Sequence, residues 1–164
     1  MSGSDKKVFT NSKITNNDKK IKVVTHHWSS HKNKGFESYV YIDKLIEEPK
    51  WKDKLEFSYI GNTSKEYPLR NSVIIDPLSG PSLASKLSEN DIYLTGSINE
   101  PSGNHHIEAA LCGLPILYLE SGGTPEYCQG YGVAYQGVHD LEIQLEQIIQ
   151  NKKKYQDELT KYPF

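Results

Sequence analysis

The chain has 164 residues, 36% of them hydrophobic and 24% charged, with a formal net charge of -2. This is ordinary globular composition, enough for one domain with a real core. A pI near 6.3 offers no basic surface for nucleic acid or anionic membrane, and no run of about 18 apolar residues is present, so neither a nucleic-acid partner nor an integral membrane segment is expected.

Residues 1–20 are rich in Asn, Lys and Ser and lack periodicity; they read as an expression scar, MSGS, followed by a linker-like segment, with no secretory signal. Residues 21–164 read as a single domain. It opens with IKVVTHH (21–27), a β-rich run. GFESYVYIDKLIEE (35–48) carries a helical stripe at Phe36, Val40, Leu45 and Ile46. LEFSYIG (55–61) and SVIID (72–76) are strands, and Pro77 to Pro81 is a turn-rich link. PSLASKLSEN (81–90) is a short helix with Ser82 as its N-cap. DIYLT (91–95) is a buried strand. A helix from Gly103 to Cys112 is stopped by Gly113 and Pro115. PILYLE (115–120) is a strand, SGGTPEYCQGYG (121–132) a glycine-rich turn region, and GVAYQ (132–136) the last strand. Leu141, Leu145, Ile148 and Ile149 mark one amphipathic helix running towards Tyr155. Most of the 11 tyrosines read as half-buried strand and helix positions.

Short apolar strands alternating with helices imply an α/β fold, a Rossmann-like three-layer sandwich around a mostly parallel sheet. Such sheets bind ligands at the carboxyl ends of their strands. The unusual loops HHWSSHKNKG, the Asn62 region, DPLSGPS, GSINEPSGN and SGGTPEY all follow strands, so the fold class gathers them on one edge.

The densest chemistry is in NEPSGNHHIEAALCGLP, Asn99 to Pro115, where Glu100 and Glu108 bracket a loop-to-helix junction. The first N–H groups of a helix there, on Gly103, Asn104 and His105, suit a phosphate. Helical side chains lean towards the N-terminus, so Glu108 can reach the crevice and accept hydrogen bonds from a ribose diol. Glu100, on the loop, can grip the hydroxyls of a sugar carried by that phosphate. The plain alternative stands beside this: a polar helix start after a Pro-Ser-Gly turn needs no ligand.

EPSGNHHIEAALCGLPI resembles the E-x7-E motif of retaining GT-B glycosyltransferases, family 4 in particular. SGGTPEY resembles that family's gly-gly-x-pro-glu element, and NKGFE (33–37) its lys-gly element after the first strand. The resemblance implies one half of a GT-B fold, the C-terminal domain that binds a nucleotide-diphosphate sugar, UDP- or GDP-linked. It implies Lys34 on the donor diphosphate and Glu100 on the sugar, both catalytic, with Glu108 on the ribose. The backbone at Gly103 to His105 would meet phosphate or sugar oxygens, Gly122 and Gly123 would line the donor pocket, and Gly61, Asn62 and the DPLSG loop would lie near the base. It further implies a cytoplasmic retaining hexosyltransferase of polysaccharide biosynthesis, inactive without a missing N-terminal acceptor domain, and using no cofactor and no metal.

One departure weakens the match. The family pairs the lysine with an arginine, whereas HHWSSHKNKG has none and Arg70 is the chain's sole arginine. A lysine point charge does not replace a bidentate fork. A non-catalytic nucleotide-binding module and half of a nucleotide-sugar epimerase remain the competing readings.

His26, His27, His31, His105 and His106 lack HExxH or three-ligand spacing, so no metal site is expected. His105 or His106 reads as a donor to phosphate or sugar and the others as caps of the crevice. Cys112 and Cys128 show no CxxC or zinc-type spacing and read as reduced, structural thiols.

Overall fold

Adjacent strand residues send their side chains to opposite faces, and in this chain both faces are apolar. Val23, Ile92, Leu94 and Leu117 join one buried cluster, whereas Val24, Tyr93, Ile116 and Tyr118 join another. A sheet that is apolar on both sides must be covered on both sides, which makes three layers. The computed structural model describes residues 20–27, 35–96, 104–120 and 128–163, with only the helical backbone of 104–106.

The elements are β1 (Ile21–His27), α1 (Phe36–Leu45), β2 (Leu55–Gly61), β3 (Val73–Ile75), α2 (Gly80–Ser88) and β4 (Ile92–Thr95). They continue with α3 (Asn104–Leu111), β5 (Ile116–Leu119), β6 (Gly132–Tyr135), α4 (Val138–Gln150) and α5 (Lys152–Leu159). The strands form one six-stranded sheet in the order β3-β2-β1-β4-β5-β6. Every pairing is parallel, from Ile21↔Leu55 along β1 and β2 to Leu119↔Tyr135 between β5 and β6. The Rossmann-like α/β expectation is met, with the sheet wholly parallel.

Helices α1 and α4 cover one face, through Phe36, Tyr39, Ile42, Leu45, Leu141, Leu145 and Ile148. Helices α2, α3 and α5 cover the other, through Leu83, Leu87, Ile107, Ala110 and Leu159. Helix α3 ends in a Schellman turn: the Leu114 N–H donates to Ala109 O (3.2 Å) and the Gly113 N–H to Ala110 O (2.9 Å).

Three local expectations are corrected. Helix α1 stops at Leu45 and buries Tyr39 and Ile42, leaving Val40 and Ile46 half-buried. Ser82 lies inside α2; Ser79 is the N-cap, and Pro81, which lacks an N–H, sits in the first turn where none is needed. The C-terminal helix is two helices. Residues Leu141, Leu145 and Ile148 of α4 belong to one core cluster, and Leu159 of α5 and Tyr162 to the other. A single straight helix cannot serve both faces, so the chain breaks at Asn151, whose side chain donates to Gln147 O (2.9 Å).

The break also brings Lys152 to Asp91, at the amino end of β4. Asp91 is 1% exposed. It accepts from the Lys22 N–H (2.8 Å) and from Lys152 Nζ (3.2 Å), tying β1, β4 and α5 at the edge opposite the strands' carboxyl ends.

Both cysteines are free and buried. Burial pushes the Cys112 thiol from 9.0 up to about 11 and the Tyr118 hydroxyl from 10.0 to about 12. A folded-state value above the unfolded one means that the folded chain holds its proton longer. Stability is therefore intact below about pH 9 and falls as pH rises through the windows 9–11 and 10–12. Urea midpoints between about pH 8 and 11 should decline; a flat series would contradict the assignment.

Candidate functional site

In this strand order the sheet's direction of growth reverses between β1 and β4, the switch point where doubly wound sheets bind ligands. Two glycines meet there. Gly35 has φ 91 at the N-cap of α1, and Gly96 follows β4. A Cβ on Gly35 would lie 2.2 Å from the carbonyl carbon and oxygen of Gly96, and one on Gly96 would lie 2.9 Å from Gly35 O and Ser38 Oγ. The backbones touch, and only glycine fits that contact. Along β2, a Cβ on Gly61 would lie 1.8 Å from His27 O, so the carboxyl ends of β1 and β2 are equally close.

Beneath these glycines lies a polar layer. Tyr39, from α1, accepts from the Gly96 N–H (3.2 Å) and from Thr25 Oγ1 (3.3 Å), and its hydroxyl contacts His27 Nε2 (2.5 Å). Tyr135 donates to Ser38 Oγ (2.8 Å) and lies within reach of Thr95 O (3.2 Å). Burial pushes the Tyr135 hydroxyl far above the usual phenol range, so it stays a proton donor. Tyr39→Phe removes the acceptor of the Gly96 amide and should cost about 1–3 kcal/mol of stability. A thermal melt checks this, and an unchanged midpoint would show that the layer holds nothing.

On the other face the next residue makes a different set of contacts. Period-two alternation sends His26 away from His27. His26 Nε2 lies 3.4 Å from Glu108 Oε1 of α3. His26 Nδ1 lies 3.0 Å from the hydroxyl of Tyr93 on β4, which also accepts from the His26 N–H (3.2 Å). Glu108 thus reaches from the helix after β4 across the switch point to the end of β1. Its side chain is 19% exposed and that of His26 8%. Burial holds the Tyr93 hydroxyl well above the ordinary phenol value, so it keeps its proton.

The histidines at 26 and 27 therefore do not merely cap the crevice; they are 6% and 5% exposed and engaged from below. Nor are most of the described tyrosines half-buried: Tyr39, Tyr59, Tyr93, Tyr118, Tyr135 and Tyr162 are buried, against four that are half-buried. Sequence reading missed these groups because most of their partners are distant, up to 97 positions away for Tyr135 and 82 for His26. The available signal was two adjacent histidines at a strand end, which alternation must split between the faces.

Of the expected site residues, Glu108 stands at the switch point. Asn62 is exposed at the carboxyl end of β2, where its carbonyl accepts from Tyr59 Oη (2.8 Å). Lys34, Glu100, Gly103, Gly122 and Gly123 lie outside the described residues, as do the side chains of Asn104 and His105. Arg70 belongs to the opposite edge: it precedes β3, and its N–H donates to Asp43 Oδ2 (3.1 Å). Asp43, 2% exposed, also accepts from the Asn71 N–H (2.8 Å) and the Ser72 hydroxyl. A cavity of about 530 Å³ lies there, between α1 and residues 66–71, away from the switch point. Among the described residues no cluster of three or more His, Cys, Asp or Glu could hold a metal ion, and no helix is long and apolar enough to cross a membrane.

No family model matches the chain, and no curated protein sequence matches it. Solved structures do. TarM aligns with a TM-score of 0.75 at 14% identity, over 94% of this chain and 33% of TarM. The C-terminal domain of a glycosyl transferase group 1 family protein, LpcC, from Francisella tularensis aligns at 0.73 and 17% identity, over 94% of this chain and 92% of that one. Sucrose-phosphate synthase from Thermosynechococcus elongatus aligns at 0.71 and 18% identity, over 98% of this chain and 47% of the synthase. The chain therefore spans about a third of TarM and about half of the synthase. At these identities the likeness defines the fold, which is the Rossmann-like α/β fold of GT-B C-terminal domains.

Proposed function

We propose that this chain is the donor-binding domain of a glycosyltransferase and takes a nucleotide-diphosphate sugar at the carboxyl ends of β1 and β4. The observation that carries the reading is Glu108. Its carboxylate meets the end of β1 at the switch point, and it is the second glutamate of a spacing that resembles the GT-B E-x7-E motif. In the sequence Lys34 immediately precedes Gly35, which packs on Gly96, and Glu100 lies between Gly96 and Asn104, the first residue of α3.

In this reading Glu108 accepts hydrogen bonds from the ribose diol. The N–H groups at the start of α3, Gly103 to His105, meet the diphosphate, where a helix N-terminus favours negative charge. Lys34 stabilises the charge that develops on the departing diphosphate, which is electrostatic catalysis. Glu100 holds the sugar hydroxyls, Gly122 and Gly123 line the donor pocket, and Asn62 lies on the side of the base. Transfer proceeds with retention, and a second domain supplies the acceptor. The partial coverage of TarM and the synthase supports that division of labour.

Calorimetric titration with UDP, GDP and ADP tests the reading: one of the three binds saturably, and its nucleotide sugar binds more tightly. Failure of all three at millimolar concentration would sink it. A non-catalytic nucleotide-binding module is favoured by one observation, the position of Arg70 at the sheet edge opposite the switch point. Sugar transfer by a full-length protein containing this chain would exclude that alternative, and binding without turnover would establish it.

A further inference from the structure

His26 has no part in the donor contacts assigned above, yet it is buried and joins two strands and a helix at the proposed site. Its ring can be assigned from its partners. A carboxylate only accepts, so the 3.4 Å contact between His26 Nε2 and Glu108 Oε1 is a hydrogen bond only when Nε2 carries a proton. In the neutral ring Nδ1 is then an acceptor. The group opposite Nδ1 at 3.0 Å is the Tyr93 hydroxyl, whose oxygen already takes the His26 N–H at 3.2 Å. Of the ring nitrogen at 3.0 Å and the His26 carbonyl at 3.4 Å, the nitrogen is the nearer acceptor for its proton. These contacts agree on one tautomer.

We propose that Tyr93 and His26 form a relay of hydrogen bonds that fixes the Glu108 carboxylate for the ribose diol, with His26 as a positioning residue that never touches the donor. One carboxylate oxygen is held from β1, which leaves the other oxygen for the ligand. A glutamate on a helix has three side-chain torsions to immobilise, and a partner on a rigid central strand bears part of that cost before the ligand arrives. Tyr93 and His26 stand on β4 and β1, the two central strands of the sheet, which gives the relay a rigid base.

The inference rests on the ribose role proposed for Glu108, and the test separates the two. The probes are whichever of UDP, GDP and ADP binds, and its 2′,3′-dideoxy analogue, which offers no diol. In the unaltered chain the ribonucleotide binds more tightly than the analogue. His26→Leu should weaken the ribonucleotide by about tenfold and the analogue by no more than about twofold, because only the diol feels Glu108. His26→Gln, which keeps one donor and one acceptor, should restore most of the difference. An equal loss for both probes in a folded His26→Leu chain, or no loss for either, overturns the relay. If His26→Leu does not fold, Tyr93→Phe is read in the same way, with a smaller selective loss expected and an equal loss overturning. No discrimination between the two probes by the unaltered chain overturns the ribose role of Glu108 and the relay with it.

Discussion

Glu108→Ala should lower nucleoside diphosphate affinity by about 30-fold, while pyrophosphate affinity holds or rises. The loss corresponds to ~2 kcal/mol, what two charge-assisted hydrogen bonds to a vicinal diol contribute after desolvation. Pyrophosphate has no diol and loses nothing; it gains by the removal of a nearby negative charge. The fold should tolerate the change. Glu108 is partly exposed, and the core face of α3 is made by Ile107, Ala109 and Ala110. Titration calorimetry on the two proteins reads the effect directly. Unchanged affinities for UDP, GDP and ADP would show that the ribose assignment is wrong.

Gly35→Ala should be severely damaging for so small a substitution. Two costs combine. An L-residue at φ 91 is strained, by about 1–2 kcal/mol. The new methyl would also sit 2.2 Å from the Gly96 carbonyl, a backbone group with no rotamer to move. Relieving it means moving the start of α1 away from the end of β4. A loss of about 3 kcal/mol or more, roughly 10 °C of melting temperature, is expected. Variant protein that does fold should bind nucleotide poorly, because the start of α1 has moved away from the switch point. Gly80→Ala is the control: its φ is also positive, at 58, but its Cβ meets nothing within 4 Å, so it carries the strain without the collision. Equal losses in the two variants would show that the contact with Gly96 is unimportant.

Most of the fold was legible in the sequence because its strands are short apolar runs set between turn residues. IKVV, DIYL and PILYL cannot face water on either side, and that alone requires a parallel sheet with helices on both faces. The failures have a common physical cause. They concern residues whose neighbours are distant in sequence. The break at Asn151 leaves Leu141, Leu145 and Ile148 in one core cluster and lets Leu159 and Tyr162 reach the other, and no local periodicity records which cluster a leucine will join. Tyr39 and Ile42 were passed over in favour of Val40 because a stripe read from one helix cannot see the aromatic rings of β2 and β1 that select it; Tyr39 packs against Phe57 and Tyr59. At the site, Glu108 was legible from motif spacing and the backward lean of helical side chains. Its partner His26, 82 positions away, was not. Arg70 shows the same limit: composition marks it as the chain's single arginine, but only the topology places it at the wrong edge for a diphosphate.

Amide NMR during titration with UDP, GDP and ADP reads the proposed nucleotide-sugar site at the switch point between β1 and β4 residue by residue. Saturable shifts for one nucleotide are expected at Gly35, Gly61, Gly96 and Glu108, with Asp91 and Lys152 at the far edge unmoved. Shifts confined to Val40, Asp43, Tyr67 and Asn71, around the cavity beside α1, or no shifts at millimolar ligand, would contradict it.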